Sequence, residues 1–134
     1  MADRLKDLEE IGFRKVGAWK LESGKPVFAL DSDEPAHSAL YAYVSGREVL
    51  YLGKTTQPLR RRMYGYQRPG PTQRTNIAVR ARISQLLAQQ QALDIYAFLD
   101  NGATRIGAFE VNLAAGLEDA LLRALQPPWN TQGK

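Results

Sequence analysis

Apolar positions recur along this chain at two different periods. Leu5, Leu8 and Ile11 lie at helical spacing and Gly12 follows them, which predicts a short helix over 3–11. From Phe13 to Leu21 the pattern alternates imperfectly, as in a strand. Ser23-Gly24-Lys25-Pro26 reads as a turn and Val27 to Leu30 as a second strand, closing a hairpin. The polar stretch Asp31-Ser32-Asp33-Glu34-Pro35 marks a soft boundary. Residues 1–37 read as an N-terminal helix and β-hairpin extension packed on a main domain of residues 38–134.

The main domain opens on a second hairpin. Leu40-Tyr41-Ala42-Tyr43-Val44 and Val49-Leu50-Tyr51-Leu52-Gly53 are strand-like, with Ser45-Gly46-Arg47 as the turn. A three-residue loop would set Tyr41 opposite Tyr51, and a two-residue loop would shift them by one position; the sequence leaves the register open. A helix then starts near Thr56-Gln57-Pro58, with Thr56 as cap and Pro58 in the first turn, and runs to about Tyr66. After Arg68-Pro69-Gly70-Pro71 comes a second helix, from Thr75 or Asn76 to about Gln90, with Val79, Ile83, Leu86 and Gln90 at helical spacing. Leu93 to Leu99 is a strand, Asp100-Asn101-Gly102 a turn, and Ile106 to Val111 a further strand. A last helix covers roughly 113–125, with Leu113, Leu117, Leu121 and Ala124 as its buried stripe, and Pro127-Pro128 stops it. This order predicts an α+β fold: a small, mainly antiparallel sheet flanked by about three helices, beside the N-terminal extension.

The bulk properties narrow the chemistry. A chain of 134 residues suits one domain, and at that length roughly two thirds of the unfolded surface can be buried. With no cysteine and only His37 as an imidazole, thiolate and zinc sites are excluded or improbable, while a hard cation on a carboxylate stays open. No apolar run approaches the ~20 residues of a membrane span, and the charged start Met1–Glu10 lacks an apolar signal core, so a soluble, cytoplasmic protein without membrane contact is expected. Net charge is +4, but its distribution says more. Between Arg47 and Arg82 stand nine basic residues and one acidic residue, Glu48. Arginine dominates that stretch, which points to a polyanionic partner over a merely solvated face.

Periodicity also singles out individual side chains. Leu59, Met63 and Tyr66 form the inward stripe of the helix after the hairpin, and Arg62 lies on that stripe. A buried-facing arginine needs a partner. It is a structural ion pair, a snorkelling side chain or an anion site. Glu118 flanks the leucines of the last helix, as a partly exposed surface residue or a metal ligand. Asp119 and Glu110 read as solvent-facing or capping residues, and Asn130 as a surface turn residue.

These signals fall in one order. Ala39-Leu40-Tyr41 followed by Leu50-Tyr51-Leu52-Gly53-Lys54-Thr55 resembles the GIY…YIG pair of the GIY-YIG nuclease superfamily. Leu59-Arg60-Arg61-Arg62-Met63-Tyr64-Gly65-Tyr66 resembles its arginine motif, and Gly116 to Leu122 with Pro127-Pro128-Trp129-Asn130 resembles its glutamate helix and terminal asparagine. The likeness runs from about Ser38 to Asn130. Ala39, Leu40 and Leu52 depart from the motif's glycine and isoleucines at packing positions.

The resemblance implies a metal-dependent endonuclease acting on DNA, in repair, restriction or a mobile element. It implies one Mg²⁺ or Mn²⁺ on Glu118, a phosphate clamp at Arg62, and water activation by a tyrosine, Tyr41 by preference, whose phenolate Arg62, Lys54 and the metal would favour. Tyr51 and Tyr66 would orient water or substrate, Asn130 would position tyrosine-side or metal-side groups, and Gly53 would allow a close backbone approach. Lys54, Arg60, Arg61, Arg68, Arg74 and Arg80 would track the DNA backbone. Phe13, Arg14 and Trp19 of the N-terminal hairpin would touch DNA or, preferably, extend the sheet. The alternatives are a non-catalytic nucleic-acid-binding module of the same fold and a protein-interaction domain.

Overall fold

The computed structural model describes residues 3–31, 38–100 and 104–131. His37, most of the polar connection at 31–35 and the turn at Asn101-Gly102 lie outside the described residues. Helix α1 (Arg4–Glu10) starts at Asp3, whose carboxylate accepts the Lys6 N–H. Strands β1 (Arg14–Glu22) and β2 (Lys25–Leu30) follow, then β3 (Ser38–Ser45) and β4 (Glu48–Thr55). Helices α2 (Leu59–Gln67) and α3 (Arg74–Ala88) lead to β5 (Leu93–Asp100). The chain ends in α4 (Leu113–Leu125) and the single turn α5 (Pro128–Thr131). No described helix is long and apolar enough to cross a membrane.

One antiparallel sheet of five strands, in the order β2-β1-β5-β3-β4, organises the chain. The α+β class with an antiparallel sheet is therefore as expected. β1 pairs with β5, so the N-terminal hairpin extends the sheet. Pro26 lies inside β2 and not in the turn before it. That position is open to proline because β2 is an edge strand.

Helices cover both faces of the sheet. Trp19, Tyr41, Tyr43 and Tyr51 pack on one face with Leu59 and Met63 of α2 and Val79 and Ile83 of α3. Leu40, Ala42, Val44 and Leu52 pack on the other with Leu5 and Leu8 of α1 and Ala114 of α4. This is why β3 is buried on both pleats from Ala39 to Val44.

Several local expectations are corrected. Residues 106–111 form two-residue strands, β6 (Arg105–Ile106) and β7 (Phe109–Glu110), in a small separate ladder. Their side chains are exposed, so no core contact extends them. Thr56 is not the cap of α2; Pro58 holds that position, and the Thr55 hydroxyl accepts the Gln57 N–H instead. Gln90 lies past the end of α3 with a left-handed φ of 62°. On α4 the fully buried residue is Ala114, with Leu117, Leu121, Leu122 and Leu125 packed beside it, while Ala124 is exposed. The Asp100 carboxylate accepts the Leu113 and Ala114 N–H groups at 2.8 and 3.2 Å, tying the start of the helix to the end of β5.

Candidate active site

The β3–β4 hairpin turns through Gly46 and Arg47, with Gly46 at φ 64°. That is the position a type II′ turn reserves for glycine. Ser45 then faces Glu48 and Val44 faces Val49, but a bulge at Leu50 shifts the rest of the ladder. Tyr43 therefore stands opposite Tyr51, and Tyr41 opposite Gly53. The open register is resolved by a two-residue loop and a bulge together. Tyr41, Tyr43 and Tyr51 share one face, and the ring of Tyr41 lies over Gly53. A β-carbon at residue 53 would sit 2.8 Å from Tyr41 Cε2 and closer still to Cζ and Oη. The close approach expected at Gly53 is thus the approach of a side chain across the ladder.

Helix α2 lowers Leu59, Met63 and Tyr66 onto that face, and Arg62 comes with them. Its guanidinium is half-buried and, among the described residues, meets no carboxylate. Nε donates to Tyr41 Oη at 2.9 Å, and Nη2 donates to Tyr66 Oη at 2.8 Å and Asn76 Oδ1 at 3.4 Å. The guanidinium carbon also stands 4.4 Å from the Tyr66 ring centroid, a cation–π contact. Neutral oxygens and a ring face thus solvate the cation without cancelling its charge. Among the described residues nothing bonds Nη1, so its two N–H donors remain available.

The phenols form a directed chain. Tyr66 donates to Tyr51 at 3.1 Å, and Tyr41 and Tyr66 are 2.6 Å apart. A phenol has one proton. Tyr66 spends its proton on Tyr51, so Tyr41 donates to Tyr66, and Tyr51 at the end keeps its own proton for a further acceptor. Tyr41 and Tyr66 are fully buried, whereas Tyr51 retains 7% exposure. Burial pushes the Tyr41 hydroxyl well above the usual phenol value, and Arg62 offsets only part of this. Tyr66 is likewise raised, by burial and by its neighbouring phenols. Tyr41 is thus a neutral donor in this state, contrary to the expected easy ionisation. Lys54 does not assist it, because it lies on the alternate pleat of β4.

Lys54 instead meets Glu118 of α4, with Nζ 3.6 Å from Oε1. Next to it, Asn130 grips the backbone of Leu52: Oδ1 accepts the Leu52 N–H and Nδ2 donates to the Leu52 carbonyl, both at 2.8 Å. Among the described residues the Asn130 side chain thus hydrogen-bonds the edge strand's backbone. Four consecutive residues of β4 gather the remaining groups. Tyr51 and Gly53 serve the phenol face, while Leu52 holds Asn130 and Lys54 holds Glu118. Glu118 and Arg62 thus belong to opposite faces of one edge strand.

Among the described residues no three histidine or acidic side chains converge. A metal held at Glu118 would take its remaining ligands from water. One accessible carboxylate fits a hard cation that keeps most of its hydration, and the Lys54 ammonium competes with such a cation for the same oxygen.

The fold is shared with solved endonuclease structures. It is similar to a mutant of bacteriophage T4 EndoII, with a TM-score of 0.75 and 20% identity over 96% of this chain and 99% of that one. It is also similar to the restriction endonuclease HPY188I in complex with product DNA, with a TM-score of 0.54 and 18% identity over 89% of this chain and 77% of that one. No family model matches the sequence, and no curated protein matches it.

Two polar residues of structural weight escaped the sequence reading. Asn76, buried at the start of α3, accepts from Arg62 and donates to the Gly65 carbonyl at 3.4 Å. It lies on the stripe of Val79 and Ile83, the same signal that exposed Arg62. Asp100, also buried, anchors α4 as described. Of the expected backbone-tracking residues, Lys54, Arg60, Arg61, Arg68 and Arg74 are exposed. Arg80 is half-buried and donates Nε to the Gln67 carbonyl at 3.1 Å, tying α3 to the end of α2. Asp119 and Glu110 are solvent-facing and pair with Arg123 and Arg105.

Proposed function

We propose that this chain is a GIY-YIG-type DNA endonuclease that hydrolyses phosphodiester bonds. The observation that carries the reading is Arg62: a guanidinium fixed on one side by Tyr41, Tyr66 and Asn76, with Nη1 left for an anion. The fold likeness to DNA endonucleases and the basic stretch around α2 support the same conclusion.

Nη1 of Arg62 would bind a non-bridging oxygen of the scissile phosphate and hold more tightly as charge develops there. Its other donors stay on the phenols, so little reorganisation accompanies binding. Tyr51, at the outer end of the phenol chain and the most exposed of the three phenols, would orient the attacking water by a hydrogen bond. Tyr41 acts in this scheme through Arg62 and Tyr66. Glu118 would hold one Mg²⁺ or Mn²⁺ through oxygen, with Lys54 displaced from its ion pair toward a DNA phosphate. Bound there, such an ion would add positive charge near the phosphate and the leaving 3′ oxygen. Asn130 keeps β4, and with it Tyr51 and Lys54, in register.

Incubation with duplex, single-stranded and branched DNA in Mg²⁺ tests this. Cleavage is expected, with loss of roughly 100-fold or more in Arg62→Ala and Glu118→Ala. If no substrate is cut, or if both variants cut like the parent, the reading is wrong. The Lys54–Glu118 pair favours a second reading, a non-catalytic DNA-binding module. That module would shift DNA in a gel, in a salt-dependent way, and cut none of it.

A further inference from the structure

The solvent face of α2 has an unusual composition for an exposed helix. Arg60, Arg61, Tyr64 and the capping Arg68 lie along it, all exposed, and the helix contains no acidic residue. Tyr64 is 51% exposed. Together with Phe28 of β2 and Pro58, Arg60, Arg61 and Tyr64 line an open groove of about 460 Å³. The Arg60 guanidinium stands 5.7 Å from the Phe28 ring centroid. The groove thus offers flat apolar faces rimmed by positive charge.

We propose that this groove is a stacking site for an unpaired DNA base, with Arg60 and Arg61 on the flanking phosphates. The proposal rests on the reading of the chain as a DNA-acting protein and adds to it a substrate feature. Phosphates alone would be served by the arginines and give no use for a half-exposed ring. A base inside a duplex hides its faces against its neighbours, whereas an unpaired base presents one to Tyr64. Apolar walls with basic rims are complementary to a nucleotide in both charge and polarity. Its volume falls in the range of small-ligand sites. Arg60 and Arg62 are two residues apart, about 200° around the helix. The groove therefore lies on the flank of α2 away from the phenol network, about one helix width from Arg62. The stacked base would belong to a neighbouring nucleotide and not to the reacting one.

The test is binding of oligothymidylate and of a duplex of equal length by fluorescence anisotropy, in EDTA so that nothing is cut. Tyr64→Ala is expected to weaken single-strand binding by roughly tenfold or more, with duplex binding changed less than about twofold. Tyr64→Phe is expected to restore it. Tyr64 lies on the surface, and thermal denaturation verifies that each variant is folded. Equal single-strand affinity in Tyr64→Ala overturns the proposal, as does an equal loss on single strand and duplex. The nuclease reading is judged separately by cleavage in Mg²⁺. Tyr64-dependent binding in a protein that cuts nothing upholds the stacking site and sinks that reading alone. Cleavage with Tyr64-independent binding sinks the stacking site alone.

Discussion

Replacing Gly53 by alanine tests the geometry of the site more sharply than removing any charged group. The new methyl would fall within the van der Waals envelope of the Tyr41 ring, 2.8 Å from Cε2 and nearer to two further atoms. Carbon atoms in contact prefer about 3.5–4.0 Å, so ring and strand must separate by roughly an ångström. The ring is fully buried among Tyr43, Tyr51 and Tyr66 and has little room to move. Overpacking of this kind costs about 1–3 kcal/mol. If the hydroxyl also leaves Arg62 Nε, a charge-assisted bond of about 1.5–3 kcal/mol weakens. A total of about 2.5–6 kcal/mol is expected, together with loss of cleavage, since Arg62 loses its Nε partner. Urea denaturation measures the first and a DNA cleavage assay the second. The decisive control is Tyr41→Leu, which removes Cζ, Oη and Cε2. In that background Gly53→Ala should be neutral or stabilising by about 0.5–1 kcal/mol, the ordinary preference for alanine over glycine within a strand. An equal cost of Gly53→Ala in both backgrounds would refute the argument.

Alkaline titration should expose the phenol cluster. Tyr41, Tyr43 and Tyr66 are all raised in the folded protein, chiefly by burial. Above about pH 10 the unfolded chain has lost these protons and the folded chain keeps them. Stability is then complete below about pH 10 and falls at higher pH, by about 1.4 kcal/mol per pH unit for each phenol. Tyrosinate absorbance should rise together with unfolding measured by circular dichroism; ionisation of all the tyrosines ahead of unfolding would contradict this. Asn76→Ala should cost about 1–3 kcal/mol, because it strips partners from Arg62 and the Gly65 carbonyl. It should also lower kcat more than it raises KM, and parental kcat would remove Asn76 from any positioning role. Asn130→Ala should cost about 1–2 kcal/mol through the two Leu52 bonds. Its signature is faster hydrogen exchange at the Leu52 amide, and unchanged exchange would speak against the grip.

What could be read in advance depended on the range of the interaction. Leu59, Met63 and Tyr66 recur at helical spacing, so the inward stripe of α2 and the place of Arg62 on it were legible. The two hairpins and β5 announced themselves by alternation and turn residues. The pairing of Tyr41 with Gly53 was not legible, because a bulge at Leu50 leaves no mark in hydrophobic alternation when both faces of the sheet are buried. The rotation of α4 was also hidden. Its leucines surround much of the helix, so their spacing alone does not choose the buried face. Asn76 was legible in principle, as a polar residue on the stripe of Val79 and Ile83. Asn130 was visible as a residue, but its partner is the backbone of Leu52, which carries no side-chain signature.

The grip of Asn130 on Leu52 has a consequence for self-association. A carboxamide that accepts from one N–H and donates to the carbonyl of the same residue imitates the hydrogen bonding of an adjoining strand. β4 is a terminal strand of the sheet, and open strand edges are the usual template for cross-chain zippering. The tail of the chain thus ends the growth of the sheet at the stretch bearing Tyr51, Gly53 and Lys54. At the opposite border Pro26 withholds an amide hydrogen. A second molecule adding a strand beside β4 would first have to unseat Asn130.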